Sequence, residues 1–132
     1  MSYTIILPTK YNSFYDIRYN LFIKTLEKIK KTHIDLSVII CDSSNNNIHE
    51  HLLKKYNNFT ILKENKDDNG KGGSIRECIR YILNNHNDNK DEKIIVQEPE
   101  KYDMIEYYPS ILSKILHLDT HICVLSRTSI SF

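Results

Sequence analysis

Asn69-Gly-Lys-Gly-Gly-Ser-Ile-Arg-Glu77 holds every glycine of this 132-residue chain: Gly70, Gly72 and Gly73. Glycine adopts positive φ freely and admits a second molecule close to the main chain. A chain that uses it nowhere else uses it here for a backbone reason. The stretch follows a short apolar run, Phe59–Leu62, and opens a helical pattern over Ser74–Asn85 with Ile75, Ile79, Ile82 and Leu83 on one face. Ser74 and Glu77 have the spacing of a capping box, which sets the helix start at the glycines. Strand, tight turn and helix place free N–H groups at a helix N-terminus, where anions bind. The expectation is a loop that handles the phosphates of a ligand. A tight turn that needs no ligand accounts for three glycines equally well. The pattern is not a P-loop, because Lys71 lies between glycines after the third strand rather than before a Ser or Thr behind the first.

Working outward, the same alternation fills the chain. Tyr3–Leu7 is a β-branched run that Pro8 should stop, since proline cannot donate to a ladder. Tyr19, Phe22, Leu26 and Ile29 recur at helical spacing within 16–31, and Leu36–Cys41 is a second apolar strand. Ile48–Tyr56 reads as a short helix, 84–92 as a polar connector and Lys93–Val96 as a fourth strand. Asp103 and Glu106 repeat the capping-box spacing. Pro109 marks a helix start or a kink, with Leu112, Ile115 and Leu116 as the buried stripe. His121–Leu125 reads as a fifth strand.

Continuous apolar strands alternating with helices predict a single α/β domain over 1–132, a three-layer α/β/α arrangement around a mainly parallel sheet. Such sheets bind ligands beyond the C-terminal ends of their strands. The polar clusters at those ends are Pro8-Thr-Lys-Tyr-Asn12, Asp42-Ser-Ser44, the glycine loop and Gln97-Glu-Pro-Glu100.

Composition narrows the function. The chain is 40% hydrophobic and 27% charged, as a globular domain is, and its net charge of +1 gives no footprint for nucleic acid or an anionic membrane. No apolar run is long enough to span a bilayer, and the first residues are not patterned as a secretory leader. Cys41, Cys78 and Cys123 are an odd number in apolar or helical contexts, which suggests buried thiols in a reducing, cytoplasmic compartment. The six histidines lack metal-site spacing, and His49 and His51 fall on different sides of a helix.

Glu98 and Glu100 flank one proline, so both carboxylates can reach a hard divalent cation bound to a diphosphate. An acidic surface turn is the simpler reading of the three residues alone. Asp42, at the end of the second strand, can accept from a nucleobase or a ribose hydroxyl, or equally from its own backbone in an Asx turn.

Taken together the clusters resemble family 2 glycosyltransferases of the GT-A fold. Thr4-Ile-Ile-Leu-Pro-Thr-Lys-Tyr-Asn12 is similar to their opening strand, and Val38-Ile-Ile-Cys-Asp-Ser-Ser44 to the strand they end in Asp-Asp-Gly-Ser. Leu62-Lys-Glu-Asn65, continued by Asn69-Gly-Lys-Gly-Gly-Ser-Ile-Arg76, resembles their Asn-x-Gly-Lys-Gly-x-Ala segment. Ile94-Ile-Val-Gln-Glu-Pro-Glu100 stands where an Asp-x-Asp metal motif would, and Ile122–Arg127 resembles a later strand closing in Gly-Ser-Arg. The resemblance implies a nucleoside-diphospho-sugar donor, with the nucleoside held by Pro8, Thr9 and Asp42. Lys71 would lie toward the phosphates, and Gly70, Gly72 and Gly73 would let the backbone close on the donor. Glu98 and Glu100 would carry Mg²⁺ or Mn²⁺, with Gln97 sharing the register.

Cys41 replaces the first acid of the family's Asp-Asp-Gly-Ser, and no residue matches the family's general base. The sequence stops where the family's acceptor half begins. The expectations are therefore a shortened sheet, with that half encoded separately or the free edge paired in a homodimer. Two rival readings stay open: a non-catalytic nucleotide- or protein-binding module, and another α/β nucleotidyltransferase.

Overall fold

A computed structural model describes residues 3–32, 35–85 and 93–115, apart from the Ile115 side chain. Eight elements alternate along them: β1 (Tyr3–Thr9), α1 (Ile17–Lys31), β2 (Leu36–Asp42), α2 (Asn46–Lys55), β3 (Thr60–Lys63), α3 (Gly70–Asn85), β4 (Lys93–Val96) and α4 (Met104–Ile115). The strands form one parallel sheet in the order β3-β2-β1-β4. The predicted α/β class and parallel sheet are present, in a Rossmann-like arrangement. The expected strand His121–Leu125, the closing segment Ile122–Arg127, Leu116 and Cys123 lie outside the described residues, as do 86–92 of the expected connector.

Register explains the two cores. Ile5 pairs with Val38 and Leu7 with Ile40, and paired residues share a face because strand side chains alternate. These four pack with Phe22 and Leu26 of α1, Leu52 of α2 and Tyr108 of α4. Ile6, Ile39 and Cys41 face the other way, onto Cys78 and Ile82 of α3. On β4, Ile95 joins the first core, whereas Ile94 and Val96 are 43% and 49% exposed, because α3 packs over β1 and β2.

The helical stripe of α1 is as expected, with Tyr19, Phe22, Leu26 and Ile29 buried, and Thr25 is buried among them. Other boundaries differ for local reasons. β1 continues through Pro8 to Thr9. The Ile6 carbonyl accepts from Gln97 N, so residues 6 and 8 direct their backbone groups toward β4, where pairing ends at Ile6–Val96. The missing proline N–H thus faces the side on which the ladder has already stopped. α2 starts two residues early because Asn45 caps it, its side chain accepting from Ile48 N. Pro109 lies inside α4 as a single continuous helix.

The largest correction concerns α3. It begins at Gly70 rather than Ser74, so Ser74 and Glu77 are interior residues and not a capping box. Its buried face is Gly73, Ser74, Cys78 and Ile82, while Leu83 is 64% exposed. Small side chains at this face bring the helix close to the sheet. The early start comes from the turn before it. Asp68 N bonds Asn65 O at 3.1 Å, and Gly70 takes φ +82°.

Asp68 then pins the helix. Its carboxylate accepts from Arg76 Nε at 2.9 Å and Nη2 at 2.6 Å, and from Arg80 Nη2 at 2.8 Å, while Glu77 holds Arg80 from the other side. The hydrogen bonds from Arg76, then those from Arg80, hold the Asp68 carboxyl well below the usual carboxylate range. A depressed folded pKa contributes stability above the unfolded value, about pH 4, that is lost as pH falls toward the folded one. Asp68→Asn should therefore flatten the decline in stability below about pH 4. Urea unfolding at a series of acid pH values measures this. An unchanged slope would mean that Asp68 does not contribute to it.

Candidate functional site

From β1 the chain steps outward to β2 and β3, then returns to β4 on the other side of β1. Where the strand order reverses, open α/β sheets leave a crevice beyond the strand ends. A cleft of about 500 Å³ opens at this rim, within the roughly 300–1,000 Å³ usual for small-molecule sites. Pro8, Thr9, Lys10 and Tyr11 line it from the end of β1 and Ser43 from the end of β2. Glu64, Asn69, Gly70, Lys71 and Ser74 line it from the turn and first residues of α3. Glu98, Pro99 and Glu100 line it beyond β4, and Arg18 from the start of α1.

Of the residues singled out in the sequence, Pro8, Thr9, Gly70, Lys71, Glu98 and Glu100 therefore meet in one cleft. Gly72 and Gly73 do not line it. A Cβ on Gly73 would run into the Asp68 backbone carbonyl, so this glycine serves the packing of α3 against its own turn.

Asp42 sits behind the cleft, and its side chain is fully buried. Thr9 Oγ1 donates to Oδ1 at 2.7 Å and Ser44 Oγ donates to the same oxygen at 2.6 Å. His49 Nδ1 is 2.9 Å from Oδ2. With both oxygens engaged, the carboxylate ties the ends of β1 and β2 to α2. Tyr11 N completes the tie by donating to Ser44 Oγ at 2.8 Å. Asp42 thus shapes the β1–β2 end of the cleft through Thr9 and the loop at Ser43 and Ser44, rather than by reaching into it.

The acidic loop is held from below. Thr25 Oγ1, on the apolar face of α1, donates to the Pro99 carbonyl at 2.7 Å. Gln97 is buried, donates from Nε2 to Lys101 O at 3.1 Å and accepts from the Tyr108 hydroxyl. Its amide therefore faces inward, away from the metal register it was expected to share. Lys101 N closes the turn onto Glu98 O at 3.1 Å. These contacts leave Glu98 and Glu100 facing the cleft on a fixed backbone.

Tyr11 forms an aromatic wall. Its ring stacks on Phe22 at 5.5 Å, and the Arg18 guanidinium lies 5.8 Å above it. Burial pushes its phenol far above the usual range, nearby Glu100 adds to the shift and Arg18 opposes it. Its hydroxyl is buried without a hydrogen-bond partner among the described residues. Arg18 enters the cleft without a motif in the sequence, whereas Glu64 belongs to the Leu62–Arg76 segment quoted for the resemblance. The one local signal for Arg18 is its place in the first turn of α1 beside the Asp16 cap, which it pairs with at 3.2 Å.

Among the described residues no group of three or more His, Cys, Asp or Glu side chains forms a metal-binding set. Glu98 and Glu100 supply two hard oxygen donors, which suits a cation that takes its other ligands from a diphosphate and water. No helix of the described residues is long and apolar enough to cross a membrane. No family model, curated protein or solved structure matches the chain.

Proposed function

We propose that the cleft binds a nucleoside-diphospho-sugar, and that the chain is a glycosyltransferase-like domain of the GT-A type acting on an acceptor hydroxyl. The observation that carries this reading is a single cleft with Gly70 and Lys71 on one wall and Glu98 and Glu100 on another. Pro8 and Thr9 lie between them at the strand ends. A nucleoside diphosphate is long, has an apolar end and concentrates negative charge at its centre. It fits an arrangement that offers an ammonium group, a helix start and a carboxylate pair along one crevice.

In this reading Pro8, Thr9 and Ser43 border the nucleoside, in a shape set by the buried Asp42. Lys71 directs its positive charge to the phosphates, and Gly70, favoured by its positive φ, brings no side chain to the helix start. Mg²⁺ or Mn²⁺ held at Glu98 and Glu100 supplies Lewis-acid neutralisation of the leaving diphosphate. The Thr25–Pro99 and Gln97–Lys101 contacts hold the backbone that carries those two carboxylates.

Lys71→Ala should weaken UDP or GDP binding about tenfold, near 1.4 kcal/mol, without moving the thermal midpoint, because Lys71 is exposed. Calorimetric titration measures both affinities, and an unchanged affinity would remove Lys71 from the phosphate site. A second reading, a nucleotide-binding module without turnover, stays open because no residue of the sequence matches the glycosyltransferase family's general base. Assays for donor hydrolysis and for sugar transfer separate the two.

A further inference from the structure

On the α3 face of the sheet, behind the cleft, two thiols meet. Cys41 of β2 and Cys78 of α3 are both fully buried, in one cluster with Ile6, Ile39 and Ile82. α3 buries Ser74 and Cys78 on the face it turns to the sheet, and Cys78 shares its small cluster with Cys41. The sequence places these cysteines 37 residues apart (78 − 41), one in a strand and one on a helix, with nothing to pair them. The packing does so. α3 presents Gly73, Ser74 and Cys78 to the sheet, and these small residues let the helix pack closely on the strand that carries Cys41.

We propose that Cys41 and Cys78 are a reversible disulfide site, oxidised by hydrogen peroxide. Two further observations support it. The hydrogen bonds from Cys78 and then Ser74 hold the Cys41 thiol below its usual range, which favours the nucleophilic thiolate. Ser74, on the same buried face of α3 as Cys78, also lines the cleft, which gives a small oxidant its approach. Burial excludes bulky disulfide oxidants and selects a small one.

In the first step the Cys41 sulfur attacks a peroxide oxygen and the O–O bond breaks. The departing hydroxide takes up the thiol proton as water, leaving a sulfenic acid on Cys41. The Cys78 sulfur then attacks the Cys41 sulfur, the S–O bond breaks, and a second water leaves with the Cys78 proton. Two thiols are oxidised to one disulfide and one peroxide is reduced to two waters. A thiol such as dithiothreitol reverses the bond by exchange. The crosslink would tie the end of β2, next to Asp42, to the helix that carries Lys71.

The test uses the full chain carrying Cys123→Ser, treated with hydrogen peroxide, unfolded, alkylated and digested without reductant. Peptide mass mapping should find the Cys41 and Cys78 peptides joined, lighter by two hydrogens than their sum, and separated by dithiothreitol. Cys78→Ala in the same background should give Cys41 as sulfenic or sulfinic acid with no linked peptide. If that variant does not fold, as judged by circular dichroism, the map of the Cys123→Ser chain still decides. Free thiols at both positions, separate oxidation of each without a link, or a link only between two copies of the chain would overturn the proposal. None of these outcomes depends on what the cleft binds.

Discussion

Gly73→Ala is expected to lower the unfolding free energy by about 3 kcal/mol, the upper part of the range for overpacking a tight site. The new methyl group would collide with the Asp68 main-chain carbonyl. That carbonyl cannot easily retreat, since Asp68 N is bonded to Asn65 O and its carboxylate is clamped by Arg76 and Arg80. The neighbouring glycines provide the contrast. At Gly70 nothing lies within 4 Å of a Cβ, so Gly70→Ala carries only the strain of φ +82°, about 1–2 kcal/mol. At Gly72 the nearest atom is the Arg76 guanidinium tip at 3.3 Å, a side-chain end rather than backbone. Urea unfolding of the three variants should rank Gly73→Ala as the least stable. Wild-type stability in Gly73→Ala would contradict the close approach of α3 to its turn.

The second large effect is on binding. Replacing Glu98 and Glu100 together by glutamine should abolish the metal dependence of nucleoside-diphosphate binding and weaken it about 100-fold, near 2.7 kcal/mol, in Mn²⁺. The same change should move stability by no more than about 0.5 kcal/mol. The backbone of that loop is fixed by Thr25, Gln97 and Lys101, none of which uses the two carboxylates. Full metal-dependent affinity in the double variant would take the cation away from this loop. A large loss of stability would instead assign the acids a structural role.

Much of the fold was legible because it rests on short-range pattern. The α1 stripe and the apolar strands follow from periodicity alone, and a parallel sheet follows from their alternation. The cleft was legible at its rim for the same reason, since polar clusters end the strands. What pattern could not supply are pairings between distant residues. Thr9 and Asp42 are 33 positions apart, and Thr25 and Pro99 are 74 apart. Asp42 reads as a ligand-facing acid or an Asx-turn acceptor. Ser44 N donates to its Oδ1 at 3.3 Å as the second reading expects. The Thr9, Ser44 and His49 side chains, which the pattern does not show, engage its oxygens as well. Thr25 carries no signal in the sequence, and only the fold brings its hydroxyl to the Pro99 carbonyl. The start of α3 was misplaced because Ser74 and Glu77 satisfy a local spacing rule. The Asp68 turn and the positive φ of Gly70 open the helix one turn earlier.

The central claim is that the Gly70–Lys71 wall and the Glu98–Glu100 loop hold one diphosphate between them. The most direct measurement is calorimetric titration of the full chain with UDP, GDP and their sugars, with and without Mn²⁺. The account predicts saturable binding of at least one of these ligands at one site per chain, tightened by Mn²⁺ and reduced by both Lys71→Ala and the Glu98/Glu100 double variant. No binding of any nucleoside diphosphate or its sugar, with the metal present and the chain folded, would contradict it.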